Sequence, residues 1–379
     1  MHRFRMAMVG GGPGSFIGPV HVMAAQLDGD IELVAGAFSS RPEKSAEAGR
    51  SYRITPERTY RSCTELLTQE QQRPDRADFL TIATPNVLHF EAARAALRAG
   101  FHVVSDKPAT TTLREALELR EEVSRSRKLY VLTHTYTGYP LVREARDICR
   151  SGALGDIRKV VVEYTQGWLT ERLELGENRQ AAWRTDPAQA GAGGCIGDIG
   201  VHAFNLLEYV TGRQVAAVFA VLSRIVPGRA LDDDCNVLLR LDNGAPGILH
   251  ASQIALGERN RLDLRVYGSK GSISWKQEEP NRLTVHWPDR PSDTRHAGCA
   301  YLGTTARQAT RLPAGHPEGY IEAFANIYRE FAGLLHRRGE GDERAWSETL
   351  CGIEAGVRGM TFIERAIESS ERSAWVQVD

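Results

Sequence analysis

A short apolar run that ends in a glycine-rich loop constrains the fold of this chain more than any other feature. Phe4 to Val9 has the composition of a buried strand, Gly10-Gly11-Gly12-Pro13-Gly14 follows at once, and a helical stretch comes at Val20 to Gln26. Glycines let a backbone approach a diphosphate closely, and a helix N-terminus offers N–H groups and a positive dipole end. The pattern predicts a dinucleotide-binding loop formed by Gly10, Gly12, Gly14, Ser15, Phe16 and Ile17.

The spacing of this loop is unusual. Gly10-x-Gly12 fits the first half of the dinucleotide fingerprint, but the third glycine is Gly18, three residues later than the fingerprint places it. We therefore expect an enlarged loop before the first helix. A plain glycine-rich turn is the alternative that the motif alone leaves open.

Strands and helices alternate through the first third of the chain. Single helices separate the apolar runs, which indicates right-handed crossovers and a doubly wound parallel sheet. We expect this Rossmann-type domain to occupy residues 1–133. The predicted strands are Ile31 to Phe38, Phe79 to Ala83, Phe101 to Ser105 and Leu129 to Thr133, and the predicted helices are Glu43 to Gly49, Val87 to Ala99 and Leu113 to Arg127.

The pattern changes after about residue 150, where strands follow one another with few helices. Asp242-Asn243-Gly244 is a strong hairpin signal, so we expect a mostly antiparallel sheet in an α+β domain over residues 134–379. Residues 277–315 suggest a long surface excursion, and C-terminal helices are expected at Glu318 to His336 and Trp346 to Glu368. The predicted strands are Lys159 to Gln166, Val215 to Arg224, Asn236 to Leu241, Gly247 to Ile254, Arg261 to Tyr267 and Gly271 to Trp275.

Composition excludes several classes of protein. Lys and Arg total 47 against 48 for Asp and Glu, so there is no basic excess for nucleic acid. The chain contains no run of about 18 apolar residues, so we expect no membrane span. The N-terminus lacks the pattern of a secretory signal. Scattered cysteines favour a reducing cytoplasm over a disulfide framework or a metal site. They are Cys63, Cys149, Cys195, Cys235, Cys299 and Cys351.

The end of the second strand bears on cofactor choice. Enzymes that bind NAD usually place an acid there to bind the ribose 2′-hydroxyl. This chain has Ser39, Ser40 and Arg41 instead. Hydroxyls and a guanidinium suit a 2′-phosphate, so the cofactor is NAD or NADP, with NADP slightly favoured. The alternative is that Arg41 is a solvated cation at a helix start.

Four short motifs, in order along the whole chain, carry a resemblance. They are Gly18-Pro19-Val20-His21, Ala83-Thr84-Pro85-Asn86 with His89, Ser105-Asp106-Lys107-Pro108, and Gly197-Asp198-Ile199-Gly200-Val201-His202. In them the chain resembles the glucose–fructose oxidoreductase / inositol dehydrogenase (Gfo/Idh/MocA) family. The resemblance implies a Rossmann domain followed by a domain with a large open sheet. It also implies NAD(P)-dependent chemistry at a hydroxyl carbon of a sugar or cyclitol, and a homodimer or homotetramer.

The resemblance also assigns residues. It implies that Thr84, Pro85, Asn86 and His89 lie along the nicotinamide half of the cofactor. It implies that Lys107 touches both nicotinamide ribose and substrate, with Asp106 in place of the more common Glu, and that Asp198 and His202 lie at the substrate carbon. Thr133 to Pro140 departs from the Arg-Phe segment of many relatives, which leaves the substrate open.

The chemistry of these residue types agrees with such a role. Alcohol oxidation needs a hydride acceptor and a base for the hydroxyl proton, and an imidazole such as His202 suits the second task near neutral pH. If the segment is helical, Asp198, four residues earlier, shares a face with His202 and either orients the imidazole or binds a second hydroxyl. Lys107 would steady a developing alkoxide. Alternatives are that Asp198 and His202 form a solvated structural pair, or bind a metal, for which no partnering cluster is present.

Polar and aromatic side chains supply candidates for a sugar pocket. Aromatic faces suit the C–H faces of sugars, while Arg and His bind hydroxyls. The alternative for any one tryptophan is a place in the core. We expect Asp232, Asp233 and Asp234 to form a solvated loop, and the alternative is that Asp233 or Asp234 approaches the pocket. The candidate substrate residues are Tyr136, Trp168, Trp183, Arg184 and His316.

These observations leave three classes of function. The first is an NAD(P)-dependent dehydrogenase of a sugar, sugar derivative or cyclitol. The second is a hydrolase that cleaves a glycosidic bond by transient oxidation and elimination at a retained nicotinamide. The third is a non-catalytic nucleotide-binding regulator, which does not account for Lys107, Asp198 and His202 occurring together.

Overall fold

The computed structural model describes residues 3–342 and 346–378. The chain divides into two compact units. The first comprises Met1–Thr135 and Phe324–Val357, and the second comprises Tyr136–Ala323 and Arg358–Asp379. The division of the chain between residues 133 and 134 stays a prediction.

The first unit is built on a five-stranded sheet in the order β2-β1-β3-β4-β5. Every neighbouring pair is parallel, which confirms the doubly wound sheet predicted from the alternating pattern. Apolar side chains such as Met6, Phe79 and Val103 are fully buried, as expected for strands covered on both faces. The strands are β1 (Phe4–Gly10), β2 (Ile31–Ala37), β3 (Phe79–Ala83), β4 (His102–Ser105) and β5 (Tyr130–Leu132).

Helices connect these strands. Thr112 forms a capping box with Glu115 at the start of the helix before β5, which fixes that end as predicted. The helix at Cys63–Gln71 was not predicted, although Ser62 accepts the Glu65 backbone N–H as an N-cap. The helices of this part are α1 (Ile17–Gln26), α2 (Pro42–Ser51), α3 (Cys63–Gln71), α4 (His89–Arg98) and α5 (Leu113–Ser126).

The second unit is built on a nine-stranded sheet in the order β13-β12-β11-β10-β6-β9-β8-β7-β14. Within the described residues of this sheet, β6 and β9 form the single parallel pair, and the other neighbouring strands are antiparallel. The prediction of a mostly antiparallel sheet is therefore confirmed. The strands are β6 (Ile157–Thr165), β7 (Val215–Ser223), β8 (Asp234–Leu241), β9 (Pro246–Ser252), β10 (Arg261–Gly268), β11 (Ser272–Lys276), β12 (Arg282–His286), β13 (Asp293–His296) and β14 (Val376–Gln377).

Two sequence predictions for this sheet have different outcomes. The Asp242-Asn243-Gly244 turn joins β8 to β9 as a hairpin, and Gly244 has the positive φ of 82° that favours glycine. The prediction of a surface excursion over residues 277–315 is wrong. β12 and β13 extend the sheet there, because Leu283 and Val285 alternate with polar residues and bury one face.

Of the remaining helices, the two at the C-terminus differ from prediction at their ends. The sequence did not predict the helices at Pro140–Arg150, Arg179–Arg184, Pro187–Ala190 and Thr304–Gln308. The two C-terminal helices begin at Tyr320 and Ile353, later than predicted, and the second ends at Arg372. Phe331 in the first of them packs against Phe79 of β3, with ring centroids 4.9 Å apart. These helices are α6 (Pro140–Arg150), α7 (Arg179–Arg184), α8 (Pro187–Ala190), α9 (Val201–Thr211), α10 (Thr304–Gln308), α11 (Tyr320–Gly339) and α12 (Ile353–Arg372).

Candidate functional site

The glycine loop lies close against two strand ends of the first unit. Gly10 and Gly11 have φ values of 86° and 74°, a region that side chains other than glycine rarely adopt. A Cβ on Gly10 would lie 2.2 Å from the carbonyl oxygen of Ala83, and a Cβ on Gly12 would lie 2.5 Å from that of Phe38. Glycine is therefore required at both positions by the fold of the loop itself.

The other side of the loop is open. Gly14 has a φ of 82°, and no atom lies within 4 Å of the position a Cβ would take. Ser15 accepts the Gly18 N–H at 3.1 Å at the start of α1, and Phe16 just before it is 65% exposed. An open glycine loop that leads into a helix N-terminus fits the diphosphate of a dinucleotide. In this structure Gly10, Gly12, Gly14, Ser15, Phe16 and Ile17 are the residues that would hold it.

The end of β2 carries no acid. Ser40 and Arg41 are exposed, and the Ser39 hydroxyl accepts the Arg41 backbone N–H at 3.2 Å. Arg41 is the N-cap of α2, which begins at Pro42. The cationic side chain therefore lies at the strand end where a dinucleotide ribose is bound in this type of fold.

The segment after β3 is tied to the segment after β4. His89 is fully buried, and its ring nitrogens lie 2.9 Å from the carbonyl oxygen of Thr84 and 2.7 Å from that of Pro108. Pro85 and Asn86 lie between β3 and α4. His89 thus bridges the Thr84–Asn86 segment and the Lys107-Pro108 segment by hydrogen bonds.

Asp106 is held by a buried set of hydrogen bonds in the same unit. Its Oδ1 accepts from His21 Nε2 at 3.0 Å and from the Thr133 hydroxyl at 2.7 Å. A carboxylate oxygen only accepts here, so His21 carries a proton on Nε2, and its Nδ1 lies 2.6 Å from the Tyr328 hydroxyl oxygen. Burial opposes ionisation of Asp106, but His21 and Thr133 outweigh it and lower its pKa.

Lys107 follows Asp106 directly and is partly exposed. Its charge also affects His134. Burial, and after it the charge of Lys107, lowers the pKa of His134 to about 3. His134 is therefore neutral at physiological pH and a poor proton acceptor there.

Asp198 and His202 belong to the second unit. Asp198 lies in a single turn of π-helix, Ile196–Gly200, which leads directly into α9. Such turns occur often at functional sites. His202 is the second residue of α9 and partly exposed. The predicted helical segment is present, but its first turn is wider than an α-helix.

The backbone before this turn is fixed by an acid. Asp232 is buried, and its two carboxylate oxygens accept the Gly194 and Ile196 N–H groups, both at 2.7 Å. Asp233 is 2% exposed and accepts the Ile225 and Val226 N–H groups. The expectation of a solvated acidic loop at 232–234 is therefore wrong for these two residues, because each satisfies buried backbone donors.

Two side chains converge on one oxygen of Asp198. Arg184 Nε–H donates to Oδ2 at 3.2 Å, and Gln253 Nε2–H donates to the same atom at 2.9 Å. Arg184 was predicted from the sequence as a substrate residue. Gln253 was missed, because a glutamine just past a strand end carries no signal of function.

The imidazole of His202 lies among tyrosines. The Tyr136 ring meets it edge-on at 5.0 Å between centroids, and the Tyr164 ring lies at 6.2 Å. Tyr164 donates to Asn260 Oδ1 at 2.8 Å and so accepts the hydrogen bond of Tyr136. Burial raises the pKa of both tyrosines, so they remain neutral phenols.

The other predicted substrate residues are also in the second unit. Trp168 donates from Nε1 to Gln166 Oε1 at 2.9 Å, and Trp183 carries the Arg184 guanidinium over its ring at 4.2 Å. His316 lies in an exposed loop, with Nδ1 3.2 Å from the Pro313 carbonyl oxygen. Contacts thus link Trp183, Arg184 and Asp198, whereas His316 lies outside that set.

Within residues 3–342 and 346–378, no group of three or more His, Cys, Asp or Glu side chains has the arrangement of a metal site. No helix in the same ranges combines the length and apolar composition needed to cross a bilayer.

Comparisons with known proteins agree with this arrangement. Residues 4–134 match the family described as "Oxidoreductase family, NAD-binding Rossmann fold", and residues 142–274 match the GFO/IDH/MocA C-terminal domain. An uncharacterized oxidoreductase of Bacillus subtilis, YfiI, is 33% identical over 98% of this chain and 96% of its own length. Levoglucosan dehydrogenase of Pseudarthrobacter phenanthrenivorans is 28% identical over 80% of this chain and 81% of its own.

A solved structure is closely similar as well. The inositol dehydrogenase homolog of Azotobacter vinelandii, complexed with NAD+, superposes with a TM-score of 0.95 at 36% identity, over 99% of this chain and 97% of that one. The chain belongs to the Gfo/Idh/MocA family of oxidoreductases, as the sequence motifs predicted. It is an enzyme, a dehydrogenase with an NAD-binding Rossmann domain.

Proposed function

We propose that this enzyme oxidises a hydroxyl carbon of a neutral sugar, sugar derivative or cyclitol with NAD or NADP. The observation that carries the proposal is Asp198, held by two donors, one helical turn before His202 with its tyrosine surroundings. Relatives support the substrate class. One similar structure is an inositol dehydrogenase homolog with NADH and myo-inositol, and another is levoglucosan dehydrogenase with NADH and levoglucosan.

The charges around Asp198 favour a neutral substrate. Arg184 faces the Asp198 carboxylate, so its positive charge is offset by a negative one. A phosphorylated or acidic sugar would need a cation to bind it. A polyol needs hydrogen-bond acceptors and donors, which carboxylate, imidazole and amide groups supply.

The proton of the reacting hydroxyl goes to His202 in this proposal. An ordinary imidazole titrates near neutral pH, which suits a general base. The tyrosine rings fix the plane of the imidazole, and Asp198 accepts a hydrogen bond from a substrate hydroxyl. The bound nicotinamide supplies the hydride acceptor.

Lys107 has the complementary task. Its ammonium stabilises negative charge as the hydroxyl oxygen loses its proton. The segment that carries it is held by Asp106 through His21 and Thr133, and by His89 through the Pro108 carbonyl. This support explains how a flexible lysine is presented at a constant position.

The cofactor assignment remains NAD or NADP, with NADP bound at least as well. Ser39, Ser40 and Arg41 offer hydroxyls and a guanidinium, and no acid among them repels a 2′-phosphate. The cytoplasmic location and the homodimer or homotetramer expected from the sequence stay predictions.

The experiment is a panel of myo-inositol, levoglucosan, L-sorbose and related polyols, offered with NAD and with NADP. We expect net NAD(P)H absorbance with at least one neutral polyol. Cleavage of a glycoside without net reduced cofactor would replace the proposal with the hydrolase alternative. Binding of cofactor without turnover of any panel member or glycoside would favour the regulator.

A further inference from the structure

Asp198 meets two donors on a single atom. Arg184 Nε–H lies 3.2 Å and Gln253 Nε2–H lies 2.9 Å from Oδ2. Neither nitrogen accepts a hydrogen bond, so Oδ2 acts as an acceptor towards both. This arrangement suits an ionised carboxylate whose plane is fixed by two contacts from different directions.

Each donor is itself held. The Arg184 guanidinium lies 4.2 Å over the Trp183 ring, and its Nη1 donates to the side-chain oxygen of Gln180. The Gln253 backbone N–H donates to the backbone carbonyl of Asp233 at 2.9 Å, and the backbone carbonyl of Gln253 accepts from the Leu169 N–H at 3.0 Å. Gln253 is 3% exposed. Both donors therefore approach Asp198 from supported positions.

The backbone conformation at Asp198 does not by itself fix the direction of the side chain. The π-turn at Ile196–Gly200 departs from α-helical spacing, so a shared face with His202 does not follow from the helix alone. Asp232 fixes the start of this turn through the Gly194 and Ile196 N–H groups. The side chain then needs its own support, and the two donors supply it.

The charge of Asp198 also acts on its surroundings. It contributes, after burial, to the raised pKa of Tyr136 and of Tyr164. These tyrosines pack against the imidazole of His202. A fixed negative charge in this neighbourhood favours the imidazolium that forms when His202 accepts a proton.

We propose that Arg184 and Gln253 are positioning residues, which hold Asp198 as a charged acceptor and so set the efficiency of the reaction at His202. The inference rests on the role given to Asp198 under the proposed function. It differs from the sequence prediction for Arg184, because Arg184 acts through Asp198. Gln253 gains a role that the sequence did not suggest.

The test exchanges a donor for an acceptor without changing its size. In Gln253→Glu a carboxylate faces Asp198, and two carboxylates in contact share a proton at low pH. Arg184 is the cation in contact with the Asp198 carboxylate. Relative to wild type at the same pH, we expect kcat/KM of Gln253→Glu to be reduced about 10- to 100-fold at high pH, the value of a hydrogen bond to a charged group. The ratio should recover as pH falls towards 6.

Conservative replacement gives a second readout. Arg184→Lys keeps a cationic donor and should retain more kcat/KM than Arg184→Leu, with the main loss in kcat. Arg179→Leu is the matched control, because Arg179 is an exposed arginine on the same helix, α7. It should behave as wild type. Melting temperatures identify any variant that fails to fold, and the kinetics of the folded variants then test the positioning role.

The substrate is the panel member with the highest rate, and Asp198→Asn is measured in parallel. A pH-independent ratio for Gln253→Glu, or equal losses in Arg184→Lys and Arg184→Leu, would overturn the inference. If Asp198→Asn itself turns over normally, the proposed role of Asp198 fails instead. If Asp198→Asn is inactive while the Gln253 and Arg184 variants keep the kcat/KM of the wild type, only the positioning role of Arg184 and Gln253 is removed.

Discussion

Two glycines with the same backbone conformation allow the cofactor loop to be tested against a matched control. Gly14 in the loop has a φ of 82°, and Gly29 in the turn after α1 has a φ of 81°. A Cβ at either position meets no atom within 4 Å. The two lie at opposite ends of α1, whose ten residues span about 15 Å.

The cost to folding follows from this geometry. Alanine in the left-handed region costs about 1–2 kcal/mol, part of which is offset because alanine also restricts the unfolded chain. Gly14→Ala and Gly29→Ala should therefore destabilise the protein equally. Only Gly14→Ala places a methyl group on the open side of the glycine loop. We expect at least about a tenfold loss of dinucleotide affinity there, equivalent to about 1.4 kcal/mol.

Denaturant unfolding and calorimetric titration with NAD and NADP measure the two quantities separately. The expected result is the same fall in unfolding midpoint for both variants, with weaker cofactor binding only in Gly14→Ala. Equal cofactor affinity in the two variants would show that the open side of the loop does not hold the diphosphate.

Three further predictions concern the proposed roles of single side chains. His202→Asn should bind cofactor normally and lose roughly 10²–10⁴-fold in turnover, the range of a general base; near-normal turnover across neutral pH removes His202 from the mechanism. Steady-state kinetics should show that Lys107→Ala lowers kcat roughly 10²–10³-fold and raises KM, and that Lys107→Arg does not restore activity. Wild-type kcat in Lys107→Ala contradicts the proposed role of Lys107. In calorimetric titration, Arg41→Ala should weaken the binding of NADP about tenfold with little effect on the binding of NAD, because a phosphate contact is lost. Arg50 is also exposed, and Arg50→Ala should change the binding of neither cofactor. A clear NAD preference unaltered by Arg41→Ala contradicts the cofactor proposal.

Local signals in the sequence were sufficient for the parallel sheet of the first unit, although they did not reveal the helix α3 (Cys63–Gln71). Glycines at positive φ, a capping box at Thr112 and continuous apolar runs each reflect a requirement that is satisfied within a few residues. The parallel sheet follows from the alternation of strands and helices. The hairpin at Asp242-Asn243-Gly244 was predictable for the same reason.

Long-range contacts in the second unit were not predictable in this way. Gln253 meets Asp198 across 55 residues of sequence, and Asp232 meets Gly194 across 38. No local pattern encodes which buried polar group a distant side chain will satisfy. β12 and β13 were missed because Pro, Arg and Gly in residues 277–315 obscured a short alternating pattern. The sequence therefore suggested candidate site residues, which stay predictions, but it did not reveal the long-range contacts that hold Asp198.

Direct transfer of hydrogen from a carbon of a neutral polyol to the nicotinamide cofactor can be followed with a labelled substrate. The measurement is mass spectrometry of the reduced cofactor after turnover of the best panel substrate deuterated on its ring carbons. We expect reduced cofactor that contains one deuterium from the substrate, formed roughly 10²–10⁴-fold more slowly in His202→Asn. Reduced cofactor without deuterium, or glycoside cleavage with no net reduced cofactor, would contradict it.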